Sequence, residues 1–108
     1  MAHMTNEAEW EVLRERTALH PSAVWRSGDV IIRSSRPWTP TVHTLLRHLE
    51  LVGFDAAPRL VGSGFDEQGR ETLTYIDGDF TQPGPWTEAG ASAVGALLRS
   101  LHVATASF

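Results

Sequence analysis

The sequence predicts an α+β fold, a mostly antiparallel sheet of four to five strands with one packed helix, plus an N-terminal and a C-terminal helix. Two observations support this prediction. Short runs rich in β-branched and aromatic residues occur in two pairs, and the segment between the pairs changes to a helical period. The resulting order of strand, strand, helix, strand, strand is typical of a helix that lies on one face of an antiparallel sheet.

Each pair of runs predicts a hairpin. Residues 23–26 and 29–33 flank a short turn that contains Gly28, and glycine readily adopts the positive φ that tight hairpin turns require. Residues 59–62 and 71–76 flank a longer turn. Residues 72–76 of the last run alternate poorly between apolar and polar residues, so we expect them to be buried on both faces of the sheet.

The segment 42–52 predicts the central helix. His43, Arg47 and Glu50 fall on a polar side of this helix, and Gly53 is suited to end it. The opposite, apolar side consists of Val42, Leu45, Leu46, Leu49 and Val52.

Both ends of the chain are expected to be helical. A capping-box spacing at the N-terminal end predicts a helix over residues 7–16. Thr87 is a suitable N-cap for a helix near the C-terminus. Residues 1–4 have the character of a cloning remnant. We therefore predict one domain over residues 5–80, followed by a linker and helix over residues 81–108.

Composition limits the classes of partner. The net charge of −4 argues against nucleic acid as a partner, since a phosphate-binding surface needs a basic balance. The sequence has no apolar run long enough to span a bilayer and no signal-peptide pattern, so we expect a cytoplasmic protein without a membrane partner. Every one of the nine cationic residues is arginine, so any phosphate-binding cation must be a guanidinium.

Several segments occur in an order that is known from one enzyme family. The run Val-Trp-Arg-Ser-Gly-Asp-Val-Ile-Ile-Arg at 24–33 is followed by Pro-Trp-Thr-Pro at 37–40, and then by the segments 53–59, 65–71 and 75–78. This order resembles the amino-terminal lobe of the aminoglycoside phosphotransferase family, whose members are protein-kinase-like small-molecule kinases. The resemblance extends from about residue 23 to the end of the chain.

The resemblance implies a kinase-like N-lobe and an ATP site that is either weak or lost. It assigns Arg33 to the nucleotide phosphates, and Thr74, Tyr75 and Ile76 to the adenine. It places His43 about where such kinases carry the acidic partner of that cation, with Glu50 as a substitute. It implies no catalytic or metal-binding residue in this chain, and Mg²⁺ not bound by this chain alone, because those residues come from the second lobe.

Two functions follow from the resemblance. The first is the nucleotide-binding half of a small-molecule kinase, a transferase that is not catalytically competent alone; whether the chain is an enzyme stays open. The alternative is a stand-alone protein-interaction or regulatory module, a degenerate pseudokinase lobe that acts through dimerisation. Because the last helix has an apolar stripe and no second lobe to cover it, we expect a homodimer or contact with a missing second lobe.

Overall fold

The computed structural model describes residues 10–17, 22–78 and 85–108. Within these ranges the chain is α+β, as predicted, with one antiparallel sheet and two helices. In chain order the elements are β1 (Glu11–Arg14), β2 (Val24–Ser27), β3 (Val30–Arg33), α1 (Thr39–Leu51), β4 (Leu60–Phe65), β5 (Glu71–Thr74) and α2 (Glu88–Thr105).

The five strands form one sheet in the order β1-β2-β3-β5-β4, and every neighbouring pair is antiparallel. Both predicted hairpins are confirmed. In the first, Ser27 pairs with Val30, so the turn consists of Gly28 and Asp29 and lies one residue later than the sequence suggests. The predicted burial of the last strand is only partly right: residues 71–73 are buried, but Thr74 and Tyr75 are half-buried and Ile76 is exposed.

The predicted N-terminal helix is wrong where the structure describes it. Residues 11–14 form strand β1, in which Glu11 pairs with Arg26 and Val12 with Trp25. The local capping pattern favours a helix, but pairing with the free edge of β2 satisfies the backbone of this short segment instead. Residues 7–9 of the predicted helix, and the expected cloning remnant, lie outside the described residues.

Helix α1 forms where the helical period predicts it and connects β3 to the far edge of the sheet. Its C-terminus is a Schellman motif, in which the Phe54 N–H donates to Leu49 O at 2.8 Å and the Gly53 N–H donates to Glu50 O at 3.1 Å. Leu46 and Leu49 of α1 are buried against Leu73 of β5 and form the core cluster. A fully buried leucine contributes about 1.5–3 kcal/mol, so this contact fixes the helix on the sheet.

The turn between β4 and β5 is organised by Asp66. Its carboxylate accepts hydrogen bonds from the backbone N–H groups of Gln68 and Arg70 at 2.9 and 2.8 Å, and from Arg70 Nε at 2.7 Å. Burial acts to raise the pKa of the Asp66 carboxyl. The hydrogen bonds and positive charge of Arg70, with the Gln68 N–H, outweigh burial and hold that pKa below its usual value.

Helix α2 begins at the predicted cap, where the Thr87 hydroxyl accepts a hydrogen bond from the Gly90 N–H at 2.9 Å. Leu101 and Ala104 of α2 pack against the core cluster. His48 of α1 hydrogen-bonds Ala104 O through Nε2 at 2.7 Å, which fixes the end of α2 beside α1. The rest of α2 is exposed, so the helix contacts the domain mainly through its last turns.

Candidate functional site

A carboxylate held between two cationic or basic side chains lies between the sheet and α1. Glu71 at the start of β5 is 2% exposed and forms an ion pair with Arg33 Nε through Oε1. Its second oxygen, Oε2, is 2.7 Å from His43 Nε2. Both carboxylate oxygens therefore have a partner, as a buried charge requires. We refer to Arg33, His43 and Glu71 as the polar cluster.

The strand register and α1 together assemble the polar cluster. Arg33 is the Cα partner of Glu71 in the antiparallel pair β3–β5, so the two side chains project from the same face of the sheet. His43 belongs to the buried face of α1, which crosses above that face. Paired strands therefore supply the arginine and the acid, while the helix supplies the imidazole.

Strand β4 covers the imidazole of the polar cluster. Phe65 lies against the His43 ring, with 4.7 Å between ring centroids. A Cβ atom added at Gly64 would lie 2.8 Å from both His43 Cε1 and His43 Nδ1, and Gly64 has a φ of +89°. Only glycine meets both requirements without strain, so Gly64 allows β4 to approach the ring closely.

The prediction of which residue pairs with Arg33 was wrong. The sequence placed His43 in a polar face and offered Glu50, on the same helix, as a substitute acid. Instead, the acid comes from the neighbouring strand as Glu71, His43 is buried, and Glu50 is exposed. Residues directly opposite each other on paired strands are close together and are held there by the strand register, whereas Glu50 lies two turns along α1 from His43. The register therefore decides which acid pairs with Arg33.

The structure does not bring the four expected ATP-binding residues into one cluster. Arg33 pairs with Glu71 at one end of the β3–β5 pair, whereas Thr74 pairs with Val30 at the other end. Three residue steps along the strand separate these ends, a distance of about 10 Å. Arg33 and the 74–76 segment therefore lie at opposite ends of this strand pair.

Part of the 74–76 segment is already bonded to other residues of the domain, through its backbone and through one side chain. The Thr74 N–H donates to Arg59 O, and the Tyr75 N–H donates to Asp29 O at 2.7 Å. The Arg26 guanidinium lies over the Tyr75 ring, 3.7 Å from the ring centroid. Ile76 is exposed, so it is the member of this segment whose side chain is freest to meet a ligand.

A groove lies between the end of α1 and helix α2. It has a volume of about 620 Å³ and is lined by Gly53 and Phe54 on one side and by Arg99, Ser100 and Val103 on the other. On another side of α2, the helical spacing aligns a row of three apolar side chains that are 43–49% exposed: Val94, Leu97 and Leu98. We call this row the apolar face of α2. It is a surface suited to burial against another protein surface.

Residues 10–17, 22–78 and 85–108 contain no group of three or more His, Cys, Asp or Glu side chains placed to hold a metal ion. Neither of their helices has both the length and the apolar character needed to cross a bilayer.

The sequence is similar to one protein that acts in immunity to a toxin, according to its name. It is 55% identical over 87 residues to a trifolitoxin immunity protein from Rhizobium leguminosarum bv. trifolii, and the match covers 81% of this chain. The chain spans only 33% of the length of that relative. No family model matches the chain, and no solved structure matches it.

This similarity corrects the expectation drawn from the sequence segments. The proposed relationship to aminoglycoside phosphotransferases is wrong, and so are the kinase function and the transferase class that were inferred from it. The alternative of a stand-alone regulatory module that acts through dimerisation receives no support either. The misleading segments, 24–33 and 37–40, are a short hairpin and the start of an amphipathic helix, which unrelated folds share.

Proposed function

We propose that this chain forms part of an immunity protein that protects its host against trifolitoxin or a related toxin. The observation that carries the proposal is the 55% identity to the trifolitoxin immunity protein over 87 residues. Identity at this level over 81% of the chain supports a common fold for the matched segment. It also supports a common role for that segment within the longer protein.

The apolar face of α2 supports action within a longer protein. The relative extends far beyond the matched segment, because that segment is 33% of its length. We propose that the remaining part of such a protein packs on the apolar face of α2, where Leu97 and Leu98 are about half exposed. Covering this face would remove apolar surface from water, a stabilisation of about 25 cal/mol per Å².

A chimera tests the immunity role while keeping the protein whole. The matched 87-residue segment of the relative is replaced by the corresponding segment of this chain, and the chimera is expressed in a trifolitoxin-sensitive strain. We expect it to survive toxin exposure that kills the same strain carrying an empty vector. A chimera that accumulates to the level of the parent relative but gives no protection would refute the proposal.

Four earlier expectations stay predictions. They are a kinase-like topology of the sheet and α1, a cytoplasmic location, a homodimer or contact with a missing second lobe, and ATP binding through Arg33 and the 74–76 segment. Titration calorimetry with ATP and Mg²⁺ checks the last one: a measurable heat of binding that weakens in Arg33→Ala would support it. An ATP titration indistinguishable from dilution would remove it, without bearing on immunity.

A further inference from the structure

A second, smaller pocket lies beside the polar cluster, where β1, the end of β3 and the start of α1 meet. Its volume is about 180 Å³, and its walls include Arg14, Arg33, Arg36, Trp38 and Glu71. We call it the arginine pocket. Unlike the expected ATP site, it contains no residue of the 74–76 segment.

The arginine pocket has an excess of positive charge in a chain that is acidic as a whole. Three guanidinium groups and one carboxylate line it, which leaves two positive charges, whereas the chain has a net charge of −4. The one carboxylate, Glu71, already has Arg33 and His43 as partners. The first turn of α1 contributes no acidic side chain that would neutralise the remaining charge.

Most hydrogen-bond donors of these arginines are available. Arg14 donates from Nε to Ser22 O at 3.2 Å, and Arg33 donates from Nε to Glu71. The Arg36 guanidinium lies over the Trp38 ring, 5.2 Å from its centroid. A guanidinium has five N–H donors, so each of the three side chains retains donors that a ligand can use.

The charge and size of the pocket define the chemistry that it fits. An excess of two positive charges matches a dianion better than the single charge of a carboxylate. Guanidinium groups bind the oxygens of phosphate with two parallel hydrogen bonds. A volume of 180 Å³ holds about six water molecules, and it is smaller than the pockets that enclose drug-sized ligands, which start at about 300 Å³.

We propose that the arginine pocket binds the phosphate group of a small phosphorylated molecule or free inorganic phosphate. Arg14 and Arg36 provide the main contacts, because neither is committed to an acidic partner within the described residues. Arg33 is oriented by Glu71 and adds a third contact. Trp38, which is 58% exposed at the rim, meets the organic part of a phosphorylated ligand. The proposal does not depend on the immunity role.

Titration calorimetry at constant ionic strength tests the proposal on the 108-residue chain, with inorganic phosphate, phenyl phosphate and acetate as three separate probes. We expect both phosphates to bind, and acetate to bind at least about tenfold more weakly, because it carries one charge fewer. Tighter binding of phenyl phosphate than of phosphate would identify a small phosphorylated molecule as the ligand. Equal binding of the two would identify free phosphate.

Matched variants locate the site. Arg36→Gln and Arg14→Gln each remove one charge-assisted contact, so each is expected to weaken phosphate binding about tenfold. Arg99→Gln, on exposed α2 and outside the pocket, is the control and leaves binding unchanged. Circular dichroism of each variant verifies folding. No heat with either phosphate, equal affinity for acetate, or unchanged phosphate affinity in both pocket variants would overturn the proposal.

Discussion

Removal of the Glu71 carboxylate is the sharpest test of the polar cluster. Glu71→Ala leaves the His43 imidazole, whose side chain is 7% exposed, without the oxygen at 2.7 Å. An unsatisfied buried polar group costs about 1–3 kcal/mol. Arg33 also loses its partner, but its side chain is 43% exposed and water can solvate it, so this loss adds about 0–1 kcal/mol. We expect a total loss of about 1–4 kcal/mol.

Urea unfolding followed by circular dichroism measures this loss. A loss of about 1–4 kcal/mol is a substantial part of the roughly 5–15 kcal/mol by which folded domains are stable, so the urea midpoint should fall. Glu67→Ala is the matched control, because Glu67 is an exposed acid in the turn before β5 and should change stability by less than about 0.5 kcal/mol.

A double-mutant cycle separates the two contacts of Glu71. The coupling free energy between Glu71→Ala and His43→Ala should exceed the coupling between Glu71→Ala and Arg33→Ala, since the imidazole is buried and the guanidinium is partly solvated. The reasoning is refuted if Glu71→Ala is no more destabilising than the Glu67 control, or if the arginine coupling is the larger.

Three further outcomes are expected. Gly64→Ala should destabilise the fold by about 1–3 kcal/mol more than Gly62→Ala in urea melts, because both have positive φ but only at Gly64 would a Cβ meet the His43 ring; equal losses would contradict this contact. Because the folded pKa of Asp66 is depressed, its contribution to stability is present above about pH 4 and is lost as the pH falls through the folded pKa. Asp66→Asn should therefore lose less stability than the parent chain when the pH of urea melts is lowered. Identical pH profiles of the two chains would refute this prediction. Light scattering should show self-association of the isolated chain through the apolar face of α2 that Leu98→Glu abolishes; a monomer mass for the parent chain would remove the homodimer prediction.

Periodicity, turn residues and caps were sufficient to predict strands β2 to β5 and both described helices. The apolar spacing of α1 and the turn residues of the two hairpins are local features, and they lie in the structure within a few residues of their predicted positions. The N-terminal strand β1 could not be predicted in this way, because it depends on pairing with β2, a contact between segments distant in sequence.

The polar cluster was missed for a related reason. His43 was assigned to the polar side of α1, although the buried residues Thr39, His43, Leu46 and Leu49 follow the helical spacing of one face. Glu71 directly precedes the run 72–76 that was predicted to be buried on both faces, and a carboxylate beside such a run requires a partner if it is buried as well. Those two features together indicate an acid–histidine contact, but only the strand register identifies Arg33 as the third member.

The error about the family has a physical lesson as well. The segments that suggested a kinase-like lobe describe how a hairpin and a helix are built, and they contain no residue that performs phosphoryl transfer. Function depends on a site rather than on the elements that support it. Here the similarity to a named immunity protein, over 87 residues at 55% identity, is the stronger guide.

The most direct measurement of the central claim is the trifolitoxin concentration that halves growth of a sensitive strain. It is determined for strains that express the chimera, the parent relative or neither protein, at matched protein levels. The account predicts a value for the chimera that approaches that of the relative and lies well above that of the empty strain. A value for the chimera equal to that of the empty strain would contradict it.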